Sequence, residues 1–150
     1  MSHRIPQVFL FFAFLSSPFV AAADTAANSQ EAKALLNEAV AFYKANGKDK
    51  AFAEIDNPNG KLRRGGLYIF VYDSNGRVAA HGADLNQIGR DVMKLQDENG
   101  KFFGREIMQI GKSGGSVDYV WPNPLTGTVQ PKTSFIILVD GYRFGCGIYR

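Results

Sequence analysis

Apolar positions recur every three to four residues between Asn28 and Asn46. Leu35, Leu36, Ala39, Val40, Phe42 and Tyr43 fall on one stripe, which predicts an amphipathic helix. Asn28, with Glu31 three residues on, has the form of a capping box, and Asn46-Gly47 suits a left-handed stop. A second, shorter helical piece is expected from Asp49 to Ile55, ended by Asn57-Pro58-Asn59-Gly60. The period then changes from near four to two. Leu67-Tyr68-Ile69-Phe70-Val71-Tyr72 is aromatic and β-branched, a strong strand signal. Asp73-Ser74-Asn75-Gly76 turns the chain, and Arg77 to His81 returns beside it. Gly82 to Gly100 reads as loop, with a second turn at Asp97-Glu98-Asn99-Gly100. Phe102, Phe103, Ile107 and Ile110 suggest a short helix. Strands are expected at Ser116 to Trp121, Val129 to Val139 and Tyr142 to Tyr149, the last pair joined by Asp140-Gly141. The order predicts an α+β chain, with a long N-terminal helix packed on an antiparallel sheet of about five strands.

The first residues stand apart from this pattern. His3 and Arg4 precede an unbroken apolar run, Val8 to Leu15, then Ser16-Ser17-Pro18 and Ala21-Ala22-Ala23. That is the layout of a secretory signal peptide, with cleavage expected after Ala23. The run is shorter than the roughly 20 residues a membrane span needs. The expected organisation is a leader over 1–23 and one domain over 24–150, placed in the periplasm or secreted.

Composition narrows the function classes. The chain has 150 residues, 17 Lys+Arg against 14 Asp+Glu and a formal charge of +3, so it is an ordinary globular chain with slight basic excess. No basic stripe or nucleic-acid motif is present. Cys146 is the single cysteine, so an exported chain can form no internal disulfide, and its Gly-flanked apolar setting reads as a buried thiol. His81 is the only histidine after the leader. No cluster offers the three or four ligands a zinc site needs, and neither a nucleophile elbow nor a phosphate loop appears. The chain is expected to be no enzyme and to need no cofactor.

Binding chemistry is better represented. Tyr68, Phe70 and Tyr72 share one strand face; Val117, Tyr119 and Trp121 share another. Two helices cannot cover both sides of five strands, so one aromatic face is expected under the long loop, a common pocket design. Two basic residues border these faces. Lys132 reads either as a solvated strand end or as the cation for a carboxylate whose carbon chain lies on aromatic walls. His81 reads equally as a satisfied polar plug or as a ligand contact.

Taken in order, these residues resemble the single Cache domains of type 2. The likeness is carried by Leu67 to Asp73, Asn75-Gly76, Ala80-His81-Gly82 and Ile88-Gly89 in the first half. Val117-Asp118-Tyr119, Trp121-Pro122-Asn123-Pro124, Pro131-Lys132-Xaa-Ser134 and Gly145-Cys146-Gly147-Ile148-Tyr149 carry the second. The resemblance implies a PAS-like fold with a pocket on the sheet face opposite the long helix, and a sensor for small organic acids. Lys132, His81 and Trp121 fall on pocket-forming positions, with Tyr68, Phe70 and Tyr119 as walls. Three positions depart from the family pattern. Phe135 replaces a common Tyr, which would remove a pocket hydroxyl; Gly115-Ser116 replaces a Trp, which would widen the pocket; Gly66 replaces an Asp. The function implied is a freestanding periplasmic domain that binds a small carboxylate. It would act through a membrane receptor, histidine kinase or transporter in signalling or chemotaxis, with the N-terminal helix as a candidate homodimer seam. A protein–protein interaction module without a small ligand is the rival reading.

Overall fold

A computed structural model describes the backbone of residues 20–150 and the side chains from 28 onward. Most of the expected leader therefore lies outside the described residues. The first helix, α1 (Val20–Asn46), is followed after one residue by α2 (Lys48–Asp56). Gly47 makes the break at φ 84°, the left-handed region that glycine enters without strain. At the other end the expected capping box is corrected. Helix continues through Asn28 and Glu31, both exposed on it. The Ala-rich stretch before them favours helix and offers nothing to stop it.

Six strands follow: β1 (Arg63–Arg64), β2 (Leu67–Tyr72), β3 (Val78–His81), β4 (Gly115–Pro122), β5 (Val129–Val139) and β6 (Tyr142–Tyr149). They form one antiparallel sheet in the order β1-β2-β6-β5-β4, with β3 beside β1 on the outer edge of β2. The two-residue β1 was not legible in the sequence, since Arg63-Arg64 has no strand pattern. The Asp140-Gly141 turn is as expected, with φ 50° and 83°.

Alternation sorts the sheet into two faces. Ile69, Val71, Ala80, Phe144, Cys146 and Ile148 pack against Leu35, Leu36 and Ala39 of α1 and Ile55 of α2. Tyr68, Phe70, Tyr72, Val117, Tyr119 and Ile136 form the other face, whose cover is the chain between β3 and β4. That cover is more ordered than a plain loop. It holds two 3-10 turns, Leu85–Gln87 and Val92–Lys94, each capped by the preceding aspartate, and then α3 (Phe103–Gln109). Val92, Leu95, Phe103 and Ile107 point from it into the second core. A Cβ on Gly104 would collide with the Val92 carbonyl, so glycine lets α3 rest directly on the second turn.

Asp97 fastens this roof to the sheet. Its Oδ1 accepts the backbone N–H groups of Asn99 and Lys101 at 3.0 and 2.9 Å, closing its own turn. Its Oδ2 accepts the N–H of Val120, at 3.1 Å, on the free edge of β4. Lys101 adds a bond from its ammonium to the Asp118 carbonyl on the same edge. An unpaired strand edge invites association, and here the roof covers it.

Candidate ligand-binding site

Strand register assembles the site. Tyr119 stands opposite Lys132, and Lys132 opposite Tyr149, so one row across three strands carries a cation between two tyrosines. A second row runs His81, Phe70, Gly145, Ile136 across four strands. The glycines of β6 make these rows fit. A Cβ on Gly145 would enter the Phe70 ring, and one on Gly147 would meet Lys132 Cε and, at 2.6 Å, Ser134 Oγ. The Gly-Cys-Gly alternation therefore clears the site face for Phe70 and Lys132, while Cys146 points into the helix-side core.

All six residues expected at a binding site, Lys132, His81, Trp121, Tyr68, Phe70 and Tyr119, line one cavity. Phe103 and Leu95 close it from the roof. Trp121 stands edge-on to Phe103 at 5.1 Å, and Phe103 stacks on Tyr119 at 4.2 Å. The space enclosed is about 10 Å³, room for one water. Even a two-carbon acid is several times larger, so the roof or its rings must yield to admit one. A wider groove of about 420 Å³ lies on the helix side, between α1 and β5. It is an open surface depression without a buried charge.

Lys132 is the centre of the cavity. It is 1% exposed. Its Nζ donates to the Tyr68 hydroxyl at 2.7 Å, and lies 4.3, 5.1, 5.5 and 5.8 Å from the ring centres of Tyr68, Tyr149, Phe70 and Tyr119. These rings offer cation–π attraction, and no carboxylate pairs with the ammonium among the described residues. Burial without a counter-charge pulls the amine from 10.5 down to about 7.

His81 lines the cavity in a different state. Its Nδ1 accepts the N–H groups of Ala83 and Asp84 at 3.3 and 3.0 Å, which leaves any ring proton on Nε2. Burial, with Lys132 adding repulsion, lowers it to about 3. At neutral pH His81 is an uncharged wall against the Tyr68 ring, 5.1 Å away. A second hydrogen-bonded line leaves the site: Tyr68 and Tyr149 hydroxyls 3.2 Å apart, then Tyr149 to the Pro122 carbonyl at 2.8 Å. Tyr119 pairs with Ser134 at 2.9 Å. Burial carries the Cys146 thiol up to about 12, so it is inert at neutral pH.

Sequence reasoning missed Tyr149 and Phe103. The Gly145-Xaa-Gly147-Xaa-Tyr149 spacing does put Tyr149 on the glycine face, but a terminal strand residue gave no other sign. The three family departures are also relocated. Strand parity turns Phe135 to the helix side, where the Lys33 ammonium lies 4.7 Å from its ring centre. Ser116 lines the same helix-side groove, and Gly115 packs under Ile110. Gly66 lies against Leu125. None of them reaches the cavity, so the expected loss of a hydroxyl and the expected widening do not occur.

A sheet backed by a long helix on one face and closed over a small aromatic cavity on the other is a PAS-like α+β arrangement. The model of the single Cache domain 2 family matches residues 21–149, and the chain belongs to that family of non-catalytic, extracytoplasmic sensor domains. Sensor histidine kinase MctS of Rhizobium johnstonii is 32% identical over 85 residues, 55% of this chain. The chain spans 18% of that relative's length. A methyl-accepting chemotaxis protein from Vibrio parahaemolyticus shares the fold at TM-score 0.70 and 22% identity, over 85% of this chain and 92% of that one. A Cache chemosensory domain described for carboxylic acid recognition superimposes at TM-score 0.61 and 23% identity, covering 86% and 92%. Among the described residues no helix is long and apolar enough to cross a membrane, and no cluster could hold a metal ion.

Proposed function

We propose that this domain senses a small organic acid outside the cytoplasm and reports it through a membrane receptor, histidine kinase or transporter. The observation that carries the reading is Lys132, a buried amine with no acidic partner among the described residues. A buried charge is costly unless paired, and a ligand carboxylate is the pairing group the described residues do not supply. Tyr68 then shares the carboxylate with Lys132, while Phe70, Tyr119 and Trp121 hold the carbon chain and His81 offers an uncharged Nε2–H. The likeness to a domain described for carboxylic acid recognition supports the same chemistry. The leader pattern read from residues 1–23 supports a periplasmic location.

The test is a thermal-shift panel of acetate, propionate, lactate, pyruvate and succinate on the purified chain. A ligand at a hundred times its dissociation constant adds about 2.7 kcal/mol, a shift of several degrees. Lys132→Met should remove the shift while the domain still melts cooperatively. A flat panel would overturn the reading in favour of a protein-docking module.

A further inference from the structure

We infer that the cavity takes up a proton together with its anion, so that above neutral pH it reads the undissociated acid rather than the anion alone. The inference rests on the proposed carboxylate site and concerns how that site is regulated.

The geometry leaves the anion one cation to meet. Lys132 is the sole acidic or basic side chain other than His81 in the cavity wall; the remainder is Tyr, Phe, Trp, Leu, Val and Gln. Against a neutral amine, a bound carboxylate would be a lone charge among aromatic rings, which is heavily penalised. Against an ammonium, the pair is neutral overall and hydrogen-bonded. The anion therefore selects the protonated amine and draws a proton in with it wherever the free amine has lost its own.

The other titratable groups facing Lys132 stay silent between pH 6 and 9. On β2, burial raises both Tyr68 and Tyr72 well above their ordinary value. On β3, His81 is neutral, held near 3 by burial. On β4, burial likewise raises Tyr119 well above its ordinary value. On β6, burial places Tyr149 and Cys146 each at about 12. Of the roof groups, Asp84, beside His81, is lowered by its bond from Gln87 and stays ionised. That leaves Lys132, near 7 through burial, as the switching group. An exposed lysine, ordinarily near 10.4, would give no response in this range.

The experiment is isothermal titration of the full chain with acetate, propionate, lactate and pyruvate at pH 6, 7, 8 and 9. Each pH is run in two buffers of different ionisation heat. The expected result is an affinity nearly level from pH 6 to 7 that then falls about tenfold per pH unit, with close to one proton taken up per ligand at pH 8. Lys132→Arg keeps its charge throughout, and where it folds and binds, its affinity should be level to pH 9. If it does not fold, the wild-type titration decides alone. Binding with a level affinity and no proton uptake from pH 6 to 9 overturns this inference and leaves the carboxylate site standing. No binding by any of the four acids at any pH overturns both.

Discussion

Lys132 shows how a single side chain can oppose the fold while serving the proposed site. Its four methylenes extend an apolar strand, but its amine is desolvated without a counter-ion, which costs stability. Replacing it with Met, of similar volume and no charge, should raise the melting temperature at pH 6 even as ligand binding is lost; scanning calorimetry with and without acid reads both. Gly145 is the reverse case, a residue whose smallness permits the site. A methyl there overlaps the Phe70 ring. Gly145→Ala should destabilise by about 2 kcal/mol, seen as a lower denaturation midpoint with unchanged slope. Neither role could be read from the residue alone. Gly145-Cys146-Gly147 announces an unusual strand, but the partner of each glycine is set by register.

At the scale of elements, the sheet and the roof differ in how they are held. The strands are tied by continuous ladders and by Ile69, Val71 and Phe144 beneath α1. The roof depends on a few contacts, chiefly Phe103 and Ile107 inward and Asp97 at the β4 edge. Asp97 is 8% exposed and serves three backbone donors. Asp97→Ala leaves these N–H groups without their acceptor and should cost about 2 kcal/mol. Amide exchange should quicken at Val120 and Asn99 before it does in β2 or β6, because the roof opens locally. Equal loss of protection throughout the sheet would show that roof and sheet are one cooperative unit. Since the cavity admits a ligand only when this roof yields, the same substitution should speed ligand release. The strand and helix patterns were legible because periodicity records which side an element buries. The 3-10 turns were not, being set by the Asp84 and Asp91 caps within a polar stretch.

For the whole molecule the buried titratable groups set the pH dependence of stability. His81 ordinarily titrates at 6.5 and here at about 3, lowered by burial. Between those values the unfolded chain holds more protons, so stability rises with pH from 3 to 6.5. Lys132 goes from 10.5 to about 7, again through burial, so the same sign applies above pH 7. The slope there is at most about 1.4 kcal/mol per pH unit. Cys146, raised from 9.0 to about 12 by burial, acts oppositely above pH 9. Without added acid the melting temperature should therefore climb between pH 7 and 9 and then level; a fall over that interval would contradict a neutral buried lysine. The sequence alone determined the α+β architecture and the family likeness, because alternation of aromatic and small residues along strands is imposed by the sheet faces themselves. The six residues that line the cavity were implied by that likeness, not by the alternation. Only the tertiary structure decided that Phe135 and Ser116 face away from the cavity, that Phe103 lines it while Tyr149 stands against Lys132 and Tyr68, and that His81 is neutral beside a Lys132 with no acidic partner among the described residues. Those properties arise from cross-strand register and from the burial of titratable groups, and a linear pattern encodes neither.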